Sequence, residues 1–435
     1  MSITSYTDIN LICFGSVRYF GQIDLLEETA NVLMDAIEKK ASKQLEAVRF
    51  NRYIITKNED LKELSHLSFA VLIPMSGAIQ PLITALSKEI DFITLWACYI
   101  KGQTNKNTED LVLKNNAAPA LMDTFAVLKR TYKNIELSKS IDEIYSYYKV
   151  ANAIIRFKSS TLLMIGKTEP WVISSVKDYD YITKKFGIKV EQISLKQLYD
   201  FYYAVPEEKA KSLASNWEGN ATKVVEPTKQ DLINSARLAL AIQNAVTKYS
   251  ADAVALACFK MLHELGTTGC MSLSLLNDSD TCVGACEADI DAALTLLLSK
   301  CITNKPAFMA NPNIQPDGKI NFAHCTSALN TSSNEDDKFI LRSHHESGIG
   351  VSPQVSLKTN SNILSIRIGD NLTKMTVLKG KTQTPIKEPT CRTKILIDYE
   401  NPQQYIDTTL GCHQILTYDT DYETFIRCGK ILGLK

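Results

Sequence analysis

Residues 69–98, FAVLIPMSGAIQPLITALSKEIDFITLWAC, hold two apolar runs separated by a small-residue turn and a helical stretch. Phe69 to Pro74 reads as a buried strand, Ser76-Gly77 as the turn, Ile79 to Lys88 as a helix and Phe92 to Cys98 as the next strand. Apolar strands that alternate with helices in this way form a parallel sheet with crossover helices. Upstream, Ile9 to Phe14 and Ala47 to Ile55 read as strands and Gln22 to Lys40 as a helix. Residues 1–150 therefore read as an N-terminal α/β domain.

The same rhythm restarts at Thr161. Leu162 to Gly166, Phe186 to Val190 and Ala253 to Phe259 read as strands, and Gln230 to Lys248 as a helix, which gives a second doubly wound, Rossmann-like domain over residues 151–330. Asn330 to Asp337 is polar and loop-like. Beyond it Phe339 to Arg342, Gln354 to Lys358, Ile363 to Ile368 and Lys374 to Lys379 are short alternating strands, separated by turns such as Gly369-Asp370-Asn371. Residues 331–435 thus read as a β-rich, barrel-like module that ends in a helix from Tyr422 to Leu432.

A chain of 435 residues exceeds one compact core, which agrees with several domains. Its 48 basic side chains balance 48 acidic ones, which argues against nucleic acid or an anionic membrane as the main partner. The eleven cysteines are irregularly spaced, an odd number, and mostly inside apolar runs, as expected of reduced thiols in a cytoplasmic protein. The opening Met1-Ser2-Ile3-Thr4-Ser5 carries no basic-then-apolar pattern, so no signal peptide is expected. No apolar run approaches the ~20 residues of a membrane span. Gly-x-Gly-x-x-Gly, Walker-type and Gly-x-Ser-x-Gly motifs are absent, which counts against nucleotide binding and serine hydrolysis.

Ligands of open α/β sheets bind beyond the carboxyl ends of strands, so chemistry is sought in the loops of the second domain. Glu287, in Cys286-Glu287-Ala288-Asp289, precedes the apolar helix Ile290 to Leu298. It is either a functional carboxylate or a charge complementing the helix's positive end. Asp289 and Asp291 suit the second role better. Asn311 follows the strand-like Ala307 to Ala310 and is either a ligand or a turn-capping amide. His324 ends an apolar strand, and His413 lies in Gly411-Cys412-His413-Gln414. The segment His344-His345-Glu346 precedes the flexible Ser347-Gly348-Ile349-Gly350, and alternation on a strand allows only one of its histidines to face a given site. Cys282-x-x-x-Cys286 has no second short-spaced pair and is not read as a zinc site.

Taken in order, Cys286-Glu287-Ala288-Asp289, Pro306 to Asn311, Ala323-His324-Cys325-Thr326, His345-Glu346-Ser347-Gly348 and Gly411-Cys412-His413 resemble the L-fucose/L-arabinose isomerase superfamily. Asn116 to Asp123, with Leu128-Lys129-Arg130, is similar to that superfamily's first domain. The likeness is nearest to its shorter, fucose-isomerase-like branch. It implies two α/β domains and a β-rich third, and ketol isomerisation of an aldose and a ketose through an enediol with Mn2+ or Mg2+. It also implies a homotrimer or homohexamer with the site at a subunit boundary. By motif, Glu287 matches the metal-binding carboxylate that also serves as acid/base, Asn311 the second carboxylate (an aspartate in fucose isomerases) and His413 the C-terminal metal-ligand histidine. His324 matches an additional histidine ligand of the arabinose branch.

Asn311 departs from that pattern: an amide offers a carbonyl oxygen but neither charge nor basicity. Its role is filled by Glu287 alone or by Asp317, in the turn Pro316-Asp317-Gly318, while His345 and Glu346 remain further substrate-binding candidates. The departure motivates the alternative of a weakened paralogue that binds a sugar or polyol without turnover. A periplasmic-type sugar-binding protein is a third reading, disfavoured by the added β module.

Overall fold

The computed structural model describes residues 6–41, 48–331 and 338–435. Met1–Ser5, Ala47 and most of the expected loop Asn330–Asp337 lie outside them. Contacts divide the chain into two compact units, one ending at Ile155 and one running from Arg156 to Lys435.

The first unit holds five parallel strands, β1 (Ile9–Phe14), β2 (Phe50–Ile55), β3 (Leu67–Pro74), β4 (Ile90–Trp96) and β5 (Ile135–Ser138), in the order β2-β1-β3-β4-β5. β1 is buried along its whole length, as expected of a central strand covered on both faces. Ile12, Leu72 and Leu95 of adjacent strands share one core with Ile83 and Leu121 of the covering helices. The Asn116–Asp123 motif opens helix Ala117–Thr131, with Asn116 in the left-handed conformation at its N-cap.

The second unit continues with β6 (Thr161–Ile165), β7 (Lys189–Ile193), β8 (Lys223–Val224), β9 (Ala253–Leu256) and β10 (Val283–Ala285). Of these, β10-β9-β6-β7 form a parallel sheet. Then come β11 (Phe308–Ile314), β12 (Ile320–His324), β13 (Phe339–Arg342), β14 (Ser352–Val355), β15 (Asn362–Gly369), β16 (Lys374–Gln383), β17 (Thr393–Tyr399) and β18 (Gln414–Tyr418). Six of them close an antiparallel barrel in the order β11-β12-β17-β16-β15-β18, and β14-β13-β8 form a small separate sheet. The fold is therefore α/β with parallel sheets followed by a β-barrel, the class expected from the sequence.

Phe308, Ala310, Ile320, Phe322, Ile395 and Leu416 fill the barrel. On β15 the opposite face, Leu364 and Ile366, packs on Phe425 of the terminal helix Tyr422–Ile431. Helix Ile290–Thr303 is apolar nearly all round and almost wholly buried, as a helix covered on every side must be. It is tied to the barrel where Ile368 N donates to Thr295 Oγ1 at 3.0 Å.

Several element readings shift. Phe186 ends helix Tyr179–Phe186, and Gly187, at φ 82°, caps it, so the following strand starts only at Lys189. A left-handed glycine is the usual helix stop, and here it outweighs the apolar run around it. The run Ala253 to Phe259 breaks after Leu256, because Cys258 begins helix Cys258–Leu265. The strand expected at Gln354 to Lys358 lies instead at Ser352–Val355. Barrel strands β11 and β12 precede residue 331, and β17 and β18 add two strands beyond those read from the sequence.

Candidate active site

In the parallel sheet of the second unit, β6 has β7 on one side and β9 on the other, so the strand order reverses between β6 and β9. That reversal opens a crevice at the strands' carboxyl ends. The loops after β9 and β10 deliver Cys258, Cys286 and Glu287 to one cavity, and the barrel delivers Asn311 from β11 and His324 from the end of β12. The cavity, mouth included, encloses ≈ 480 Å³ of empty space.

Glu287 and Ala288 both have positive φ, 59° and 47°. Two consecutive non-glycine residues in that region cost ~1–3 kcal/mol each and persist only when their surroundings hold them. Here Glu169 N donates to Glu287 O at 3.1 Å and Thr168 Oγ1 to Ala288 O at 2.9 Å. The Glu287 side chain is partly buried: Trp171 Nε1 donates to Oε2 at 2.8 Å, and His413 Nε2 lies 3.6 Å from Oε1. Burial raises the carboxyl pKa, but the neighbouring His413, with His324 and Trp171, outweighs it and leaves it below its ordinary value.

His413 is fully buried, immediately before β18. Its Nδ1 meets Asp289 Oδ2 at 2.8 Å. Asp289 in turn receives Arg367 Nη1 at 2.9 Å and Nη2 at 3.2 Å, Ser175 Oγ at 2.7 Å and Ala292 N at 2.9 Å. Arg367 Nη1 also donates to His413 O at 3.1 Å. The carboxylate therefore fixes the ring and aims Nε2 at Glu287, and that Nε2 is buried without a hydrogen-bond partner. Burial alone would depress the imidazole pKa, yet Asp289 at Nδ1, with Cys412 and Glu287 close by, holds it well above the usual range. Asp289 pays a desolvation cost that Arg367 and His413 more than offset, so its pKa sits below the ordinary aspartate range. Two residues on, burial pushes Asp291 up to about 6, with Arg367 and Lys177 only partly opposing it.

His324, 4% exposed, shares its Nδ1 with Thr326 Oγ1 at 3.0 Å, and its ring lies 5.3 Å from that of His413. Burial, then the neighbouring His413 charge, lowers its pKa to about 4, so it is neutral at physiological pH. A ligand atom of His324 lies within 4.8 Å of one from Glu287 and one from Cys286. Of the four principal candidates, the structure brings Glu287, Asn311 and His324 to one cavity and sets His413 against Glu287 behind it.

The remaining candidates separate. Glu346 lines the cavity together with His344, whereas His345 lines a different groove with Arg342 and Arg392. The segment is a turn, closed by Gly348 N donating to His344 O at 2.9 Å, so strand alternation does not govern it. Asp317 is exposed, paired with Lys319 at 2.8 Å, and is not among the residues that line the cavity. Sequence reasoning missed the positioning pair Asp289–Arg367 and the aromatic wall Trp171–Phe259–His344, whose rings contact edge to face at 4.9 and 6.0 Å. The available signal for the first was Arg367 itself, a charge inside the apolar run Ile363 to Ile368, which has to be paired when buried.

The candidate side chains are of types that bind a hard divalent cation, with the Cys286 thiol also close to Glu287 and His324. They combine a carboxylate, an amide oxygen and imidazole nitrogens, with a buried Nε2 lacking a partner and a carboxylate behind the ring, the arrangement that orients metal-binding histidines.

The fold is that of an α/β protein whose candidate site lies where a parallel sheet meets a β-barrel. No known family model matches the chain. Part of it is similar to proteins named sulfoquinovose isomerase. With that of Alkalicoccus urumqiensis it is 24% identical over 202 residues, 46% of this chain and 43% of that protein. With that of Clostridium sp. (strain MSTE9) it is 20% identical over 264 residues, 59% and 58% of the two chains. The chain thus spans about half the length of the curated relatives it matches.

Proposed function

We propose that this protein is a cytoplasmic, divalent-cation-dependent isomerase that interconverts an aldose and a ketose through an enediol. The observation that carries the reading is the buried His413 Nε2, aimed by Asp289 and Arg367 at the ionised Glu287 carboxylate. The relatives' names agree with it and with the resemblance to sugar isomerases.

Glu287, Asn311, His413 and His324 would hold the Mn2+ or Mg2+. When bound, the cation supplies Lewis acidity to the sugar's carbonyl and neighbouring hydroxyl. Glu287 is charged at neutral pH and has its Oε2 occupied by Trp171, so Oε1 takes the proton from one carbon and returns it to its neighbour. Neutral His324 would offer a ring nitrogen to the cation without first losing a proton. Asn311 orients and ligates but moves no proton. Among the described residues no lysine or arginine lines the cavity, so an acidic sugar finds no fixed cation on this wall, and the reading takes an uncharged aldose as substrate.

The test is a screen of neutral aldoses and ketoses with Mn2+ in deuterated water, reading both product and deuterium incorporated next to the carbonyl. Absence of both from every sugar would defeat the proposal. A second reading, a binding protein without turnover, is favoured by Asn311 alone. Asn311→Asp separates the two: in a working isomerase it tightens Mn2+ binding and changes turnover only modestly, whereas in an inert paralogue activity emerges only in the mutant.

Mn2+ binding is also expected to depend on pH. Because His413 keeps its proton above the ordinary histidine range, a cation must displace that proton from Nε2. Affinity should therefore rise with pH across neutrality. Titration calorimetry in two buffers of different ionisation enthalpy should find close to one proton released per ion, and His413→Gln should abolish that release.

A further inference from the structure

Five of the eleven cysteines, Cys258, Cys270, Cys286, Cys325 and Cys391, line the single cavity described above. Cys258 and Cys286 follow the adjacent parallel strands β9 and β10, and their sulfurs are 3.3 Å apart. Both thiols are free, and the residues are 7% and 6% exposed. A disulfide needs a sulfur separation of ~2.05 Å, so bond formation asks for about 1 Å of approach. Cys270, Cys325 and Cys391 lie on the same cavity wall, and Cys391 is only half-buried.

We infer that Cys258 and Cys286 form a peroxide-sensitive dithiol that closes to a disulfide and displaces Glu287. The sulfur of one cysteine attacks hydrogen peroxide, breaking the O–O bond, and forms a sulfenic acid as its thiol proton passes to the leaving hydroxide, which departs as water. The second sulfur then displaces that hydroxyl, forming the S–S bond and releasing the second water. Two electrons pass from the two sulfurs to the peroxide, and a dithiol reductant reverses the change.

Cys286 is bonded directly to Glu287, inside a turn that already carries two left-handed residues. Drawing its sulfur toward Cys258 pulls on that turn and opens the 3.6 Å approach of Glu287 to His413. The same movement disturbs the Trp171 hydrogen bond to Glu287 and the packing of Trp171 on Phe259, the residue after Cys258. The disulfide itself does not depend on the isomerase reading; only its effect on turnover does.

The experiment treats the full-length protein with stoichiometric hydrogen peroxide, alkylates the remaining thiols under denaturing conditions and maps peptides by mass. The expected result is a linked pair of peptides containing Cys258 and Cys286, lost on dithiothreitol treatment. A tryptophan fluorescence change of matching dose dependence should accompany it and be absent from both Trp171→Phe and Cys258→Ser. Alkylation of both thiols after peroxide, or a link between Cys325 and Cys391 instead, overturns the inference. So does a Cys258–Cys286 link with no change in Trp171 fluorescence, because Glu287 would then not move. Turnover is assayed alongside, and a confirmed disulfide in a protein inactive on every sugar counts against the isomerase reading alone.

Discussion

Glu287→Gln is expected to lower turnover by about 10²–10⁴-fold, the usual contribution of a positioned acid/base group. Glutamine keeps the shape and a carbonyl oxygen able to accept from Trp171 Nε1, which now meets Oε2 at 2.8 Å. What it loses is the ability to take a proton at the atom facing His413. The deuterium readout isolates this step: wash-in at the carbon should fall in parallel with product. Because the side chain is partly exposed and its backbone is held by Glu169 and Thr168, the mutant should melt close to the parent temperature. Intact turnover in a folded Glu287→Gln protein would end the proposed chemistry.

Asp289→Asn should be the most damaging single change to stability, at about 3–5 kcal/mol, the typical consequence of removing one partner from a buried ion pair. Asp289 and Arg367 side chains are both 0% exposed, and the pair is bidentate. Neutralising the acid leaves the guanidinium only the longer 3.9 Å approach of buried Asp291 and takes the carboxylate away from the protonated His413. The amide still caps helix Ile290–Thr303 through Ala292 N, so loss of the cap is not the cause. Replacing both members together, Asp289→Leu with Arg367→Met, should cost less than the single change, since apolar side chains of similar volume can substitute for a buried pair. Denaturant unfolding of the three proteins decides it. A loss below ~1 kcal/mol for Asp289→Asn, the size typical of exposed pairs, would show that the charge is not critical there.

The βα rhythm was legible because buried parallel strands are continuous apolar runs, and β1, β3 and β6 are of that kind. The barrel was only partly legible. β17 carries Lys394 and Asp398 among its apolar residues, and β18 follows directly on the polar stretch around His413, so neither stood out as a strand. Glu287, Asn311, His324 and His413 were singled out through ordered motifs, whereas nothing local joins Asp289 to Arg367. They are 78 residues apart, and an acid just before an apolar helix has a sufficient explanation as a cap. That explanation is true of Asp289 and incomplete. His344 was passed over for His345 because the turn there does not alternate as a strand would.

Asn311, His324 and His413 stand on or beside three consecutive staves, β12, β11 and β18, of a ring that has no free edge. A stave cannot fray from such a ring without opening its neighbours. The three side chains are therefore displaced in one event or kept together, and an arrangement with one of them loose while the others stay in place is not a state this architecture readily populates.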